Sequence, residues 1–194
     1  MKLRTITEAD IPMIMEWRKE YPESLRTCFE LTGPMMYDWF VNVVNNRLSN
    51  ARYWIILDDE EVASDGAKFG GKPIGYGSIA NIQWENRHAE IGLLIEMGHL
   101  GEGKGIGGVK LLLEQAFMHM NLEHIWGECY HCNEIGLDFW QKVSYISTKV
   151  DLPARKYYDG KYHPSLYFGI SKEDWMNAPE QPVIKSNLKG KKRF

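Results

Sequence analysis

Eight consecutive residues, Gly101 to Gly108, include five glycines and lie between an apolar segment and a strongly periodic helical pattern. Since glycine has no Cβ atom, such a turn allows the backbone to come close to a ligand. A helix that begins there directs its unpaired N–H groups and the positive end of its dipole at that ligand. A structural turn needs only one or two glycines. The run therefore predicts a phosphate-binding connection between a strand and a helix.

Three phosphate-binding motifs overlap in this run. The segment 103–108 satisfies the dinucleotide fingerprint, which should follow the first strand of a βαβ unit, but about half of the chain precedes it. The segment 98–105 nearly forms a P-loop, yet it ends in Gly105 where a Ser or Thr must hold magnesium. The segment 102–107 fits a pyrophosphate loop, (Gln/Arg)-x-x-Gly-x-(Gly/Ala). We favour the third motif, and the other two and a plain turn remain alternatives.

The residues after the turn repeat at helical spacing. Apolar side chains at i, i+3, i+4, i+7, i+8 and i+11 form one face, consisting of Val109, Leu112, Leu113, Ala116, Phe117 and Met120. Apolar segments at 89–97 and 124–130 are typical of strands on either side of this helix, which spans 107–120. A strand, a helix and a second strand in this order predict a parallel crossover unit.

The remaining patterns predict a mixed α/β fold. Helices are expected at 10–19, with Asp10 as the cap, over 36–47 and around 135–143, and further strands at 2–7, 52–57, 74–82, 144–152 and 165–170. The second and third of these strands form a hairpin with a long polar loop, 58–72. We expect a single domain over 1–177 and a basic tail over 178–194.

Charge and composition restrict the class of partner. Of the 23 basic and 26 acidic residues, five basic and one acidic lie in the tail, which leaves the rest of the chain at a net charge of −7. An acidic body disfavours nucleic acid and suits an amine. No apolar run approaches the ~20 residues that span a membrane, and the first residues lack an apolar signal segment. We therefore expect a cytoplasmic protein with no nucleic-acid or membrane partner.

The cysteines do not indicate a metal site. The chain has three, and Cys129-x-x-Cys132 lies beside His131 and His124. A closed zinc site needs four ligands, and no second paired motif is present in the sequence. We expect no metal, and the low cysteine count fits a reducing compartment.

Several segments, in order along the chain from Leu3 to Trp175, resemble the GNAT superfamily of N-acetyltransferases. They are Leu3-Arg4-x-Ile6-Thr7-x-x-Asp10, Trp17-Arg18, Ala89-Glu90-Ile91-Gly92, the loop 102–107, Ala116-Phe117, Asn133 and Phe139-Trp140-Gln141-Lys142. The segment 158–162 is similar to the branch containing ribosomal-protein N-terminal, spermidine and nucleotide-linked amino-sugar acetyltransferases. The resemblance implies an acyl-CoA N-acyltransferase fold, with a mostly antiparallel twisted sheet splayed at the cofactor site and flanked by helices.

The resemblance also implies acetyl-coenzyme A as the cofactor. Its diphosphate would lie on the loop residues Glu102, Gly103, Lys104, Gly105, Ile106, Gly107 and Gly108. The backbone amides of Leu94 and Ile95 would hold the thioester carbonyl and the pantetheine arm. Three further residues, Asn133, Trp140 and Lys142, would complete the cofactor site, although a helix N-cap explains Asn133 equally well.

Acetyl transfer to an amine needs a group that removes a proton from the amine. An alkylammonium titrates near ~10, so a nearby carboxylate must take its proton at neutral pH. The resemblance favours Glu90, with Glu96 and Glu128 as lesser candidates. The alternative for Glu90 is a surface strand acid paired with Arg87.

The group that protonates the leaving thiolate is less evident. Family members usually carry a Tyr where this chain has Trp140, and an indole N–H is not a practical acid. Tyr130 and Tyr145 are the nearest candidates by motif. Alternatively, the thiolate leaves unprotonated, since a thiol titrates near ~8.5.

The acceptor is expected to be the primary amine of an amino sugar, a polyamine or a protein N-terminus. Of these, a small-molecule amine is favoured. Residues 17–40 are similar to amino-sugar acetyltransferases in the placement of aromatic and arginine residues, which makes Trp17, Arg18, Arg26 and Trp39 the candidate acceptor residues. A homodimer remains open. The alternative functions are a non-catalytic acyl-CoA sensor, which would keep the glycine loop without the acid, and a nicotinamide oxidoreductase.

Overall fold

The computed structural model describes residues 1–27, 29–59 and 70–179. One mixed sheet has seven strands in the order β1-β2-β3-β4-β5-β7-β6. The strands are β1 (Lys2–Thr5), β2 (Arg52–Leu57), β3 (Pro73–Gln83), β4 (His88–Ile95), β5 (His124–Tyr130), β6 (Thr148–Tyr158) and β7 (Lys161–Ser171). All neighbouring strands are antiparallel except β4 and β5, which are parallel. The predicted mixed α/β fold with a mostly antiparallel sheet is confirmed.

Helices cover both faces of this sheet. They are α1 (Ile11–Lys19), α2 (Gly33–Trp39), α3 (Lys104–Glu114), α4 (Glu134–Lys142) and α5 (Lys172–Asn177). Wider π-type turns extend α2 over Phe40–Val44 and α3 over Gln115–His119. Within the ranges that the structure describes, no helix is both long enough and apolar enough to cross a membrane.

Strand alternation divides the core into two layers. Because successive side chains point to opposite faces of a strand, the even-numbered residues of β4 face α1 and α2 and the odd-numbered ones face α3. Leu94 accordingly packs with α1 and α2, whereas Ile91 packs with α3. The apolar helix face predicted from the sequence is the buried face of α3 and its extension, where Leu112 and Leu113 have no exposed surface. Each such side chain contributes ~1.5–3 kcal/mol by burial.

The beginning of α1 differs from the prediction. Asp10 does not cap the helix with its side chain, because its carboxylate accepts hydrogen bonds from the N–H of Thr7 at 2.7 Å and from both terminal nitrogens of Arg4 at 2.8 Å. Asp10 does hold the predicted N-cap position of α1, whereas Thr7 is the N-cap of a short 3-10 turn, Glu8–Asp10, that precedes α1 and whose capping box Asp10 closes. Asp10 therefore ties β1 to the start of α1.

The last two strands are longer than predicted. The sequence patterns gave 144–152 and 165–170, but most side chains of β6 are exposed, so apolar alternation does not mark its ends. The two strands form a hairpin that closes at Asp159 and Gly160, both with positive φ. Residues 60–69 of the predicted loop 58–72, and residues 180–194 of the predicted tail, lie outside the described residues. The domain boundary at 177 stays a prediction.

Candidate active site

The parallel strands β4 and β5 separate after a short paired stretch. Their ladder has three positions, the last of which joins Glu90 to Trp126. Beyond that point, β4 remains paired with β3 as far as Ile95, and β5 remains paired with β7 as far as Tyr130. The sheet is therefore open between β4 and β5, and two clefts meet at this opening.

The first cleft, the turn cleft, lies between the end of β4, the glycine turn and the start of α4. It encloses about 860 Å³ of empty space, part of which is open to solvent. Its lining includes Tyr21, Ser24, Leu93, Leu94, Ile95, His99, Gly101, Gly103, Gly105, Ile106, Asn133, Phe139 and Trp140. Most of these residues are apolar or present backbone, which suits a long ligand that is bound mainly through main-chain groups.

The glycine turn presents unpaired amides to this cleft. Gly101 and Gly103 have φ angles of 76° and 79°, a left-handed conformation that glycine adopts without strain. The first bond of α3 runs from the N–H of Gly107 to the carbonyl of Gly103 at 3.2 Å. The N–H groups of residues 104–106 therefore have no partner within the helix. Together with the helix dipole they form a site suited to a diphosphate.

Seven of the twelve predicted cofactor residues line the turn cleft: Leu94, Ile95, Gly103, Gly105, Ile106, Asn133 and Trp140. Asn133 also caps α4, because its side-chain oxygen accepts a hydrogen bond from the N–H of Gly136 at 3.0 Å. The helix N-cap is therefore observed for Asn133, and its contact with the cofactor stays a prediction.

The other five predicted cofactor residues are not among the described residues that line the cleft. Lys104 forms an ion pair with Asp58 at 2.5 Å. Glu102 lies 3.3 Å from the His99 ring, and Lys142 pairs with Asp138 at 2.7 Å. A Cβ atom at Gly107 would meet Met1, and one at Gly108 would meet Ile56 and Leu93.

The main-chain direction of β4 corrects the expectation for Leu94. The N–H of Glu96 donates to the carbonyl of Ile74 on the β3 side at 2.8 Å. Since alternate residues of a strand direct their main-chain groups to the same side, Leu94 also faces β3 and Ile95 faces the opening. The carbonyl of Ile95 accepts a hydrogen bond from the Tyr21 hydroxyl at 2.8 Å on that side. Ile95 therefore presents its amide to the opening, and Leu94 contributes its side chain.

The second cleft, the Glu90 cleft, lies on the face of the sheet that α1 and α2 cover. It encloses about 1750 Å³, including space open to solvent. It shares Ser24, Leu93, Leu94, Asn133 and Trp140 with the turn cleft. A ligand on the glycine turn and a second ligand in the Glu90 cleft can therefore meet at the opening between β4 and β5.

The Glu90 carboxylate is paired with Arg26. Both terminal nitrogens of Arg26 donate to it, one of them to Oε2 at 3.1 Å, and the Asn81 side chain donates to the same Oε2 at 2.6 Å. The Glu90 side chain is 12% exposed, and it lines the cleft. Arg87 instead pairs with Glu123 at 2.6 Å. The surface pair with Arg87 that was the alternative for Glu90 is therefore not formed.

Glu128 lies beside Glu90 on the same face of the sheet. Its carboxylate accepts hydrogen bonds from Arg155 at 2.9 Å and from Ser165 at 2.6 Å, and Arg26 lies 3.7 Å away. Burial alone would raise the pKa of Glu128, but these bonds and the two guanidinium charges lower it below its ordinary value. Glu128 is therefore ionised, and both of these hydrogen bonds go to its Oε1.

The two predicted tyrosine acids have different surroundings. Tyr130 lines the Glu90 cleft, where burial raises the pKa of its hydroxyl and the charge of Arg26 opposes that rise. Tyr145 is buried and lines neither cleft, and its hydroxyl has no hydrogen-bond partner among the described residues. Trp140 lines both clefts and stacks on Phe168, with ring centroids 4.3 Å apart. The structure thus brings Tyr130, but not Tyr145, to Glu90.

Three of the four predicted acceptor residues line the Glu90 cleft. Arg18 and Arg26 contribute guanidinium groups, and Trp39 contacts Tyr53 edge-on with ring centroids 5.0 Å apart. Trp17 is 5% exposed and packs in the core below α1. The similarity to amino-sugar acetyltransferases suggested a binding role for Trp17, but its apolar position on a helix indicated core, and the structure buries it there.

Sequence reasoning missed Tyr21, Ser24, Tyr53 and Tyr76. Tyr21 and Ser24 lie between α1 and α2, where no periodicity marks a position. Tyr53 and Tyr76 could have been found from the register, since β2, β3 and β4 place them on the same face as Glu90. The pairing register of neighbouring strands therefore identifies cleft residues that short sequence motifs do not.

Comparisons with known proteins place the chain in a family. The sequence model of the acetyltransferase (GNAT) domain matches residues 1–142. No curated protein sequence matches the chain. The match covers well over half of the chain, so the chain belongs to the GNAT acetyltransferase family. It is an N-acetyltransferase of the kind that uses acetyl-coenzyme A.

Solved structures agree with the fold. The spermidine N-acetyltransferase from Vibrio cholerae in complex with CoA and spermine superimposes with a TM-score of 0.76 at 16% identity, covering 91% of this chain and 98% of that one. A dodecameric structure of the spermidine N-acetyltransferase from Vibrio cholerae in an intermediate state gives a TM-score of 0.72 at 15% identity, covering 92% and 98%. At these identities the likeness establishes the fold.

Proposed function

We propose that the chain transfers the acetyl group of acetyl-coenzyme A to the primary amine of a small molecule in the Glu90 cleft. The observation that carries this proposal is the continuity of the two clefts through the opening between β4 and β5. An acyl carrier on the glycine turn has its reactive end at that opening, and Glu90 lies on the far side. The Vibrio cholerae structure with CoA and spermine holds a small-molecule amine in a protein of the same fold.

The cofactor would lie along main-chain groups. Its diphosphate would accept hydrogen bonds from the amides at the start of α3, and its pantetheine arm would run past Ile95 and Asn133 towards Trp140. A backbone N–H of β4 that faces the opening can donate to the thioester oxygen as negative charge develops there. When bound, acetyl-CoA supplies an electrophilic carbonyl and a thiolate leaving group.

Glu90 would remove the proton that prevents the amine from attacking. A carboxylate has about four lone-pair positions. Arg26 and Asn81 occupy three of them, since Oε2 accepts two hydrogen bonds and Oε1 accepts one. The free position on Oε1 can accept a hydrogen bond from an ammonium group, directly or through water. The neutral amine then forms the new C–N bond as the C–S bond breaks. Tyr130 would protonate the departing thiolate and recover a proton from the nitrogen, which loses its second proton on becoming an amide, while Glu90 returns its own proton to solvent.

Turnover tests this proposal. The chain is incubated with acetyl-coenzyme A and a panel of primary amines that includes spermidine, amino sugars and simple alkylamines, and release of free thiol is followed. We expect thiol release that depends on at least one amine. Binding of coenzyme A by calorimetry, without thiol release for any amine, would instead support the non-catalytic sensor.

A further inference from the structure

Arg18 is a charged residue of the Glu90 cleft that acetyl transfer leaves unexplained. It lies on α1, is half-buried, and lines the cleft. Its two terminal nitrogens donate to the Tyr76 hydroxyl at 3.2 Å and to the Thr27 hydroxyl at 3.1 Å. Within residues 1–27, 29–59 and 70–179, no carboxylate forms an ion pair with Arg18. The hydrogen bonds of Arg18 among these residues therefore go to neutral hydroxyls.

This arrangement leaves N–H donors of the Arg18 guanidinium group available to a ligand. A guanidinium group has five N–H donors in a planar fork, and neutral hydroxyls occupy two of those of Arg18. Removal of a cation from water is unfavourable unless an anion or several hydrogen bonds compensate for it. An anionic group that entered the cleft would supply both the charge and the acceptor atoms.

The carboxylates of the cleft are already neutralised by other residues. Glu90 is paired with Arg26, and Glu128 is held by Arg155 and faces Arg26 at 3.7 Å. Arg155 lines a neighbouring cleft, so the described charged residues of the Glu90 cleft are two carboxylates and two guanidinium groups. Since Glu90 is paired with Arg26 and Glu128 is held by Arg155, Arg18 is the arginine of the cleft that no described carboxylate pairs with.

The charges of Arg18 and Glu90 both influence the pKa of the Tyr53 hydroxyl. Burial raises the pKa of the Tyr53 hydroxyl, the charge of Glu90 raises it further, and the charge of Arg18 lowers it. Arg18, Glu90 and Tyr53 also line the same cleft, so one ligand that extends along it can contact all three. Tyr53 and Trp39 form the aromatic surface of the cleft in this region.

We propose that the acceptor amine also carries an anionic group, a phosphate or a carboxylate, which Arg18 binds while the amino group lies at Glu90. This inference rests on the proposed acetyltransferase function and specifies its substrate class. The anion would satisfy Arg18 through a charge-assisted fork, and the aromatic surface would contact the part of the acceptor between its two polar ends.

The test compares acceptors of equal length that differ at one end: an alkyl diamine, an amino alcohol, an aminoalkyl carboxylate and an aminoalkyl phosphate. The two anionic compounds distinguish the possible sources of negative charge. We expect one or both of them to have a lower KM than the diamine and the amino alcohol. Arg18→Gln should raise that KM by about 10-fold to 100-fold and raise the KM of the amino alcohol much less.

Two further variants control this experiment. Arg18→Lys retains the charge without the fork and should give an intermediate KM, which separates loss of charge from a folding defect. Arg87→Gln removes an arginine outside both clefts and should change neither KM. A preference for the diamine or spermidine that Arg18→Gln does not alter would overturn this inference and leave the acetyltransferase intact. The absence of thiol release with every acceptor would overturn both proposals.

Discussion

The ammonium group of Lys156 donates a hydrogen bond to the main-chain carbonyl of Glu23 at 2.9 Å. Lys156 belongs to β6, is 7% exposed, and also donates to the carbonyls of Pro22 and Leu25. Its ammonium group lies 5.0 Å from the centre of the Tyr130 ring. One buried lysine of the C-terminal hairpin thus positions the segment that carries Arg26 into the Glu90 cleft.

Replacement of this lysine should affect both stability and the site. Lys156→Met would leave one buried and two partly buried carbonyls without this donor, so we expect the free energy of unfolding to fall by about 2–4 kcal/mol. Thermal unfolding measures this effect. The KM for the acceptor should also rise, because Arg26 would lose its support. Lys149→Met is the matched control: Lys149 lies exposed on the same strand and donates to a single carbonyl, that of Gln141, at 2.8 Å. This control should leave both quantities nearly unchanged.

A methyl group at Gly105 should weaken cofactor binding selectively. A Cβ atom there would lie 3.0 Å from the Phe139 ring, which lines the turn cleft and would have to move. Gly105 is the second residue of α3, so part of the roughly 1 kcal/mol by which alanine favours a helix interior over glycine applies there and opposes the cost of moving Phe139. We therefore expect Gly105→Ala to lower the affinity for coenzyme A by about 10-fold with little change in Tm. In calorimetry, Gly98→Ala, whose Cβ meets no atom within 4 Å, should bind like the parent.

The Arg4–Asp10 pair should make part of the stability depend on acid pH. The hydrogen bond from Arg4, with those from Thr7, lowers the pKa of Asp10 from 3.8 to about 2 in the folded protein. The stabilisation is therefore complete above the unfolded pKa and is lost as the pH falls towards about 2. Because Arg4 is 36% exposed, we expect only about 1–2 kcal/mol at neutral pH.

Unfolding as a function of pH tests this dependence. Asp10→Asn should lower Tm at neutral pH, and its difference from the parent should shrink below pH 3.8. Asp38→Asn, an exposed carboxylate on α2, serves as the control and should show no such convergence. A constant Tm difference between Asp10→Asn and the parent down to the lowest pH would contradict the assignment.

Loss of the proton acceptor should be most severe where the amine is protonated. Glu90→Gln retains the size of the side chain but removes its basicity, so turnover should fall most near neutral pH and less in alkali, where the amine loses its proton unaided. The measurement is kcat/KM against pH for both proteins. Glu123→Gln, which removes a surface carboxylate paired with Arg87, should reproduce the parent profile. A Glu90→Gln profile parallel to that of the parent would exclude Glu90 as the base.

The sequence predicted the turn and most strands because both depend on local chemistry. Five glycines before an apolar helix face specify a close backbone approach, and β2 and β5 were placed at the observed bounds because they are short apolar runs between turns. The partners of Glu90 were not predictable in this way. Arg26 reaches it across 64 positions of the chain, and Lys156 fixes that approach from still further away. Such contacts depend on tertiary packing, which a single sequence does not display.

Two tyrosine variants should separate a catalytic hydroxyl from a structural one. Tyr130 lines the Glu90 cleft, and burial keeps its hydroxyl protonated at neutral pH, so Tyr130→Phe should lower kcat by about 10-fold or more if this proton reaches the thiolate. Tyr145→Phe removes a buried hydroxyl without a partner among the described residues, so it should leave kcat unchanged and hold or raise the free energy of unfolding by about 1 kcal/mol. Both are measured by steady-state kinetics and thermal unfolding. If Tyr130→Phe retains full kcat, we infer that the thiolate leaves unprotonated. Trp140 also lines the Glu90 cleft, but its indole N–H is not a practical acid.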